Sequence, residues 1–268
     1  TGVKNMFSDP EFAKVLDKAG YQFSSANSIN IGRLVPQIVY YVYAYAKLLQ
    51  NEEITEGEEI NVVVPTGNFG NILAAYFAKQ MGIPVKKLIC ASNENKVLFD
   101  FFQSGTYDKN REFILTNSPS MDILISSNLE RFLFDISGRD CSKVARYMKE
   151  LAENGSYEVD ADMKEKIADT LWGGYCDDED TLLSIKDTFE SYGYIMDTHT
   201  AVGKNVYDQY LFETGDMTKT VILSTASPYK FASSVYTALT KCKAPEGYEA
   251  LTALSDLTST PISTPLAG

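Results

Sequence analysis

The sequence predicts an α/β protein in which helices flank a parallel sheet, and three observations carry that prediction. The run 60–64 is apolar and rich in β-branched residues apart from Asn61, which is typical of a strand covered on both faces. After Gly70 the apolar residues recur at three- and four-residue spacing, and Gly82-Ile83-Pro84 ends that helix. A second strand and further helices follow, which is the order of βαβ units with right-handed connections.

The remaining elements follow from the same periodicities. The first half contains a loop and a long helix over 27–49, a strand, helix and strand over 60–91, a helix over 94–104 and helical spacing over 121–136. The second half contains helices over 142–152 and 181–192, breaks at 154–155 and 172–175, a strand over 220–224 and a helix from Lys230. We interpret 1–268 as one domain with a helical insertion around 137–195.

Charge and composition exclude some classes of protein. The 268 residues include 24 basic and 36 acidic side chains, and the resulting net charge of -12 argues against a nucleic-acid surface. Hydrophobic residues at 44% supply a sizeable core. The apolar stretch 38–49 is shorter than the roughly 20 residues of a membrane span and is interpreted as a buried helix, so no membrane partner is expected. Small phosphate ligands stay compatible with this charge, because local N–H groups and one or two arginines capture them.

Cysteine and histidine usage does not indicate a metal site. The four cysteines lie far apart without CxxC spacing, and the chain has one histidine, so a structural zinc site is not expected. We interpret the acidic run 177–180 as a helix start, where carboxylates cap the helix and complement its dipole. Free buried thiols are the ordinary state in a reducing cytoplasm, which predicts a cytoplasmic protein.

The loop between the first strand and its helix suits a phosphorylated cofactor. Its sequence, Pro65-Thr66-Gly67-Asn68-Phe69-Gly70-Asn71, places two glycines directly before a helix. These glycines can adopt backbone angles closed to other residues, so that consecutive N–H groups converge on an anion at a positively polarised helix start. The loop matches neither GxGxxG nor GxxxxGK[ST], and a plain turn between strand and helix is the structural alternative.

Five ordered sequence blocks together resemble threonine synthase. They are 25–34 (SANSINIGRL), 65–71, 118–123 together with 126–131 (the first beginning Ser118-Pro119-Ser120-Met121-Asp122), 197–203 (beginning Asp197-Thr198-His199) and 223–228. The resemblance extends over nearly the whole chain and is greatest to the longer form of the enzyme found in many bacteria and fungi. Ser227 departs from the family, whose members usually carry histidine before this proline.

The resemblance implies a fold-type II large domain, similar to the β subunit of tryptophan synthase, that binds pyridoxal 5′-phosphate (PLP). It implies the conversion of O-phospho-L-homoserine and water into L-threonine and phosphate, a lyase reaction of threonine biosynthesis. The resemblance also implies that a neutral hydroxyl, that of Thr225, faces the pyridine nitrogen and leaves it largely unprotonated. The residues matching the cofactor-phosphate site are Gly67, Asn68, Phe69, Gly70 and Asn71, and those matching the substrate-phosphate site are Asn27, Ser28 and Arg33.

The catalytic lysine of the family has no counterpart among the matched residues. In threonine synthases the Schiff-base lysine lies in an N-terminal segment before the position matching Thr1. We therefore expect this chain to be an incomplete domain of a parent enzyme and to be inactive by itself. Lys204 and Lys230 are local candidates for that lysine, each with an ordinary role as a solvated helix residue. His199 does not complete a hydrolase triad, because no GxSxG elbow exists, and we interpret it as a cap of a helix over 198–211.

Two other functions stay open. Serine and threonine dehydratases of the same fold type use similar glycine-asparagine loops, although the blocks at 27–33 and 118–122 favour threonine synthase. A non-catalytic phosphate-binding remnant of a PLP enzyme belongs to a different class. The expected partner is a small-molecule substrate, and the oligomeric state is monomer or dimer.

Overall fold

A computed structural model of the chain describes residues 6, 9–24 and 27–264, and these contain a parallel sheet and its helices. The strands are β1 (Ile60–Pro65), β2 (Val85–Ser92), β3 (Thr106–Asp108), β4 (Ser156–Glu158), β5 (Leu171–Tyr175) and β6 (Thr220–Ile222). The α-helices are α1 (Pro10–Lys18), α2 (Ile31–Leu34), α3 (Ile38–Gln50), α4 (Gly70–Gln80), α5 (Val97–Ser104), α6 (Leu129–Ile136), α7 (Cys141–Asn154), α8 (Ala161–Thr170), α9 (Asp178–Tyr192), α10 (Thr198–Thr214), α11 (Ala232–Thr240) and α12 (Tyr248–Thr258). Within these ranges, no helix has the length and apolar character of a membrane span.

Four parallel strands build the central sheet in the order β5-β2-β1-β6, which confirms the predicted α/β class. β1 pairs in parallel with β2 on one side and with β6 on the other. From β1 the chain passes through α4 to β2, whereas β6 is reached through α10 and lies on the far side of β1. The strand order therefore reverses at β1, and ligands of such sheets bind beyond the carboxyl ends of the strands at this point.

Both faces of β1 are buried, as its continuous apolar run predicts. Val62 and Val64 share one hydrophobic cluster with Leu73 of α4. Val63 belongs to a second cluster with Val202 of α10. Because successive side chains of a strand point to opposite faces, this one strand joins two cores and is held rigidly between them.

The span 137–195, predicted as a helical insertion, contains two strands as well as α7, α8 and α9. β4 pairs with β3, and β5 is an edge strand of the central sheet. The predicted break at 172–175 is wrong, because Gly173 and Gly174 are strand residues. A Cβ at Gly173 would lie 2.7 Å from the Phe102 ring, and a Cβ at Gly174 would lie 2.8 Å from Val206. Close packing therefore requires glycine here, while the limits of the domain stay a prediction.

Three predicted helices differ in extent or burial. The helix predicted over 121–136 begins only at Leu129, because a short 3-10 turn and an extended loop precede it. The helix predicted from Lys230 begins at Ala232, after a 3-10 turn over Pro228–Phe231. The helix over 38–49, predicted as buried, buries Tyr41 and Tyr45 but leaves other residues exposed, such as Tyr43 at 62%. Since α3 is apolar on all sides, packing decides which side is buried.

Candidate active site

A cavity of about 330 Å³ lies at the carboxyl end of the sheet, beside the end of β1. Its size falls within the range of small-molecule sites. Four segments that are distant in sequence meet there, namely the β1–α4 loop, the loop before α6, the first turn of α10 and the segment after β6. The lining residues are Pro65, Thr66, Gly67, Asn68, Phe69, Gly70, Asn71, Ile72, Ser120, Met121, Ile123, His199, Thr225, Ala226 and Lys230.

The backbone of the β1–α4 loop restricts which amino acids can occupy it, through close approaches at two glycines and a positive φ angle at Phe69. A Cβ at Gly67 would lie 2.5 Å from the carbonyl oxygen of Ser120, and a Cβ at Gly70 would lie 2.1 Å from Ser28 Oγ. Phe69 adopts a left-handed conformation with φ 65°, directly before the first turn of α4. Its ring is buried and packs against Phe132, with centroids 5.7 Å apart. Packing of this ring therefore stabilises a backbone angle that is uncommon for a residue with a side chain.

The polar groups that this loop leaves available are hydrogen-bond donors. The Asn68 side-chain oxygen accepts from the Gly70 N–H at 3.2 Å, and the Asn71 side-chain oxygen accepts from Tyr41 Oη at 2.7 Å. In the described part of the chain, the backbone N–H groups of Gly67, Asn68, Phe69 and Asn71 donate to no protein acceptor. Since these N–H groups open a helix, the loop fits an anion with several acceptor oxygens.

Buried polar side chains fix the loop from behind. Asn128 is fully buried, and its side-chain amide donates to the Asn68 carbonyl at 2.9 Å and to Ser28 Oγ at 3.1 Å. Ser126 Oγ donates to the Gly67 carbonyl at 2.9 Å. Because each of these donors bonds a carbonyl on the far side of the loop, the N–H groups are left facing the cavity.

A second polar network positions the loop that carries Ser120. The Asp122 carboxylate accepts from Asn93 at 2.8 Å, from Asn95 at 3.0 Å and from the Thr116 hydroxyl at 2.7 Å. Asn93 and Asn95 are buried just beyond the end of β2. The network therefore ties the loop over 114–122 to the carboxyl end of the sheet, which brings Ser120 against Gly67.

His199 is a neutral positioning residue, and its predicted role as the helix cap is wrong. Asp197 caps α10 by accepting from the His199 and Thr200 N–H groups. His199 Nε2 accepts from the Ser120 N–H at 3.1 Å, which requires the ring proton on Nδ1, 3.1 Å from Asp197 Oδ1. Burial alone would raise the pKa of Asp197, but hydrogen bonds from His199 and Thr200 outweigh it and lower that pKa. His199 thus holds Ser120 and does not act as a free base.

The segment after β6 contributes further residues to the cavity. Thr225 is exposed and lines the cavity together with the β1–α4 loop. Ser227, where the family usually has histidine, begins the following 3-10 turn by accepting the Tyr229 N–H at 3.3 Å. Lys230 in that turn also lines the cavity, whereas Lys204 lies elsewhere on α10 and pairs with Asp208. Sequence reasoning considered Lys230 and Lys204 only as candidates for the Schiff-base lysine, with an ordinary role as solvated helix residues, and only Lys230 lines the cavity.

The residues predicted to hold a substrate phosphate lie behind the loop and do not line the cavity. Ser28 is buried, and its Oγ donates to Asn68 Oδ1 at 3.4 Å. Asn27 is exposed and accepts the Ile29 N–H at 3.0 Å, while Arg33 is exposed in the last turn of α2. The structure therefore joins Ser28 to the β1–α4 loop and places Asn27 and Arg33 nearby in the same segment. Ser25 and Ala26 of that sequence block lie outside the described residues.

No group of three or more histidine, cysteine or acidic residues suited to a metal ion occurs among the residues that the structure describes. The acidic run at 177–180 begins α9 as predicted, with Asp177 accepting the Asp180 N–H at 2.8 Å.

Sequence comparisons place this arrangement among known proteins. Residues 200–263 match the family model described as threonine synthase, C-terminal. Human threonine synthase-like 1 is 43% identical over 242 residues, which cover 89% of this chain and 32% of the human protein. Threonine synthase of Saccharomyces cerevisiae is 37% identical over 251 residues, which cover 88% of this chain and 47% of the yeast protein.

Solved structures give the same result. The PLP-bound threonine synthase from Brucella melitensis matches with a TM-score of 0.79 at 36% identity, covering 97% of this chain and 52% of that chain. The yeast threonine synthase matches with a TM-score of 0.78 at 35% identity, covering 95% and 52%. The chain thus spans about a third to about half of the length of these relatives.

Proposed function

We propose that this chain, a homologue of the threonine synthases, binds PLP in the cavity at the end of β1. We further propose that the whole protein converts O-phospho-L-homoserine and water into L-threonine and phosphate. The observation that carries the proposal is the set of N–H groups of the β1–α4 loop that donate to no protein acceptor in the described residues and that line the same cavity as Thr225.

The residues present fit the cofactor at both of its ends. The loop from Gly67 to Asn71 offers N–H donors and the helix dipole to a phosphate, and the absence of a side chain at Gly67 lets the backbone of Ser120 pack directly against the loop. The Thr225 hydroxyl is a neutral partner for the pyridine nitrogen. When bound, PLP supplies an electron sink for carbanions formed next to the amino group of the substrate.

In this proposal the described residues of the chain orient the ligand. His199 holds the Ser120 backbone against the loop, and Asp122 holds the rest of that segment. For the substrate we propose that Asn27, Ser28 and Arg33 hold its phosphate. A guanidinium binds phosphate in bidentate fashion and neutral donors support it, so the segment over 27–33 has suitable chemistry beside the cofactor loop.

A binding function without catalysis is a second candidate. It is favoured by one observation, namely that relatives at 42–43% identity carry the name threonine synthase-like 1.

We place the protein in the cytoplasm as a proposal, because its four cysteines are free.

Ligand binding tests the proposal without relying on turnover. Calorimetry compares pyridoxamine 5′-phosphate, which lacks the aldehyde that would react with surface lysines, with pyridoxamine, which also lacks the phosphate. Because hydrogen bonds to a charged group contribute about 1.5–3 kcal/mol, the phosphate is expected to improve Kd by at least about tenfold. Thr225→Ala should weaken both ligands, whereas Thr252→Ala, an exposed residue of α12, should weaken neither. Equal affinity for the two ligands would refute the proposed phosphate site in the β1–α4 loop.

A reaction assay then separates the candidate functions. With PLP added, release of phosphate from O-phospho-L-homoserine together with L-threonine supports the synthase. Release of ammonia from serine or threonine would identify a dehydratase instead. Tight binding of pyridoxamine 5′-phosphate with neither reaction, measured on the full natural protein, would favour the binding function.

A further inference from the structure

Lys230 is the one formally charged side chain among the residues that line the cavity. The other lining groups are glycines, asparagine amides, hydroxyls, apolar side chains and His199. The His199 ring is neutral in this arrangement, because its Nε2 accepts the Ser120 N–H. Among the described residues that line it, the cavity therefore presents the dipoles of the loop and a single ammonium group, that of Lys230.

The position of Lys230 is fixed although its side chain is exposed. It belongs to the 3-10 turn over Pro228–Phe231, and its N–H donates to the Ser227 carbonyl at 3.0 Å. Its Nζ lies 5.3 Å from the centroid of the Phe231 ring, and that ring packs on His199 with centroids 4.7 Å apart. The turn, the aromatic ring and the histidine thus connect Lys230 to the segment that closes over Gly67.

The ammonium group of Lys230 is not neutralised by the protein. Within the described ranges, no carboxylate lies at ion-pair distance from its Nζ, whereas Lys204 on α10 contacts Asp208 at 2.7 Å. The chain as a whole has a net charge of -12, so its long-range field disfavours the approach of an anion. Neutral N–H groups would leave both negative charges of a bound phosphate dianion uncompensated, and the negative field of the chain would repel them.

We propose that the Lys230 ammonium group is the cationic contact for a phosphate dianion bound in this cavity. The inference rests on the proposed function, since it takes the ligand to be phosphorylated. Two phosphates have the required chemistry, namely the cofactor phosphate and the phosphate of the substrate or product. Because the contact is solvent-exposed, it is expected to contribute a few-fold to affinity at low ionic strength and less in salt.

The experiment compares Lys230→Gln with Lys230→Arg and with Lys204→Gln as the control. Calorimetry measures the Kd of pyridoxamine 5′-phosphate and of pyridoxamine at about 0.02 M and about 0.3 M salt, where the Debye length differs several-fold. Lys230→Gln should weaken the phosphorylated ligand about fivefold at the lower salt and leave pyridoxamine unchanged. Lys230→Arg should retain the affinity, and Lys204→Gln should match the unmodified chain.

A second titration distinguishes the two phosphates. Inorganic phosphate is added to the chain saturated with pyridoxamine 5′-phosphate. If Lys230→Gln weakens only inorganic phosphate, Lys230 contacts the substrate or product phosphate; if it weakens only pyridoxamine 5′-phosphate, it contacts the cofactor.

Unchanged affinity of Lys230→Gln for both pyridoxamine 5′-phosphate and inorganic phosphate would overturn the inference and leave the proposed function standing. An equal loss for pyridoxamine would also overturn it, because the effect would not depend on phosphate. If the unmodified chain binds neither pyridoxamine 5′-phosphate nor inorganic phosphate, the proposed function and this inference both fail.

Discussion

Replacing Gly70 with alanine tests the contact between the segment over 27–34 and the β1–α4 loop. Gly70 is the first residue of α4, where helix propensity alone predicts that alanine stabilises the chain by up to about 1 kcal/mol. The structure predicts the opposite sign, because the added Cβ would lie 2.1 Å from Ser28 Oγ and 2.5 Å from Ser28 Cβ. The direction of the change therefore separates the two arguments.

The magnitude follows from how Ser28 is held. Its side chain is 6% exposed, its Oγ accepts from Asn128 at 3.1 Å, and its carbonyl accepts from Arg131 at 2.9 Å. Ser28 cannot withdraw without losing part of this network, and each lost hydrogen bond costs about 1 kcal/mol. With an overpacking cost of about 1–3 kcal/mol, Gly70→Ala should lower the free energy of unfolding by about 2–4 kcal/mol. The corresponding loss in Tm is about 4–16 °C.

Urea unfolding of four chains measures this contact, namely the unmodified chain, Gly70→Ala, Ser28→Gly and the double variant. Ser28→Gly removes both atoms that the new methyl group would meet, so the double variant should recover about 1–2 kcal/mol relative to additivity. Weaker binding of pyridoxamine 5′-phosphate by Gly70→Ala should be reversed in the same double variant. Stability of Gly70→Ala equal to or above that of the unmodified chain, or strict additivity, would refute the reasoning.

Two further predictions concern groups away from the cavity. Asp216 accepts hydrogen bonds at the amino end of the sheet from the side chains of Lys86, Thr218, Tyr210 and Asn61. Burial would raise the pKa of Asp216, but these bonds outweigh it and hold that pKa well below its usual range. The contribution of Asp216 to stability is therefore fully present above about pH 4 and is lost progressively as the pH falls from there through the lowered pKa. Asp216→Asn should therefore destabilise the chain by about 1–3 kcal/mol at neutral pH, and urea midpoints at about pH 3 should show a smaller difference. Burial raises the pKa of two thiols to about 12, so mass spectrometry after brief alkylation of the native chain should find label at the two exposed cysteines, Cys141 and Cys242, and none at Cys90 and Cys176.

The elements that were predicted correctly are those whose pattern is local. β1 is apolar at nearly every position, and α4 shows its spacing within eleven residues. β5 was missed because its two glycines are explained only by Phe102 and Val206, which approach from distant parts of the chain. A glycine pair signals a turn unless the packing around it is known.

The candidate site shows the same division between local and long-range information. The loop over 65–71 could be predicted because its glycines, asparagines and helix start adjoin in sequence. Ser120, His199 and Lys230 reach the cavity from three other segments, through contacts that no local pattern encodes. His199 was assigned to its own helix, whereas its ring bonds a loop 79 residues away.

The polar groups of the site show what kind of ligand it accepts. The acceptors near the cavity are already used, since His199 Nε2, the Asp122 carboxylate and the oxygens of Asn68 and Asn71 all accept hydrogen bonds from the protein. Among the described residues that line the cavity, the side-chain and loop groups left over are the loop N–H groups, the amide donors of the two asparagines, the Ser120 and Thr225 hydroxyls and the Lys230 ammonium group. Apart from the two hydroxyls, which can donate or accept, all are donors. A ligand rich in acceptors, such as one that carries both a phosphate and an aromatic ring nitrogen, satisfies them, whereas a cationic or donor-rich ligand would cover them without offering acceptors.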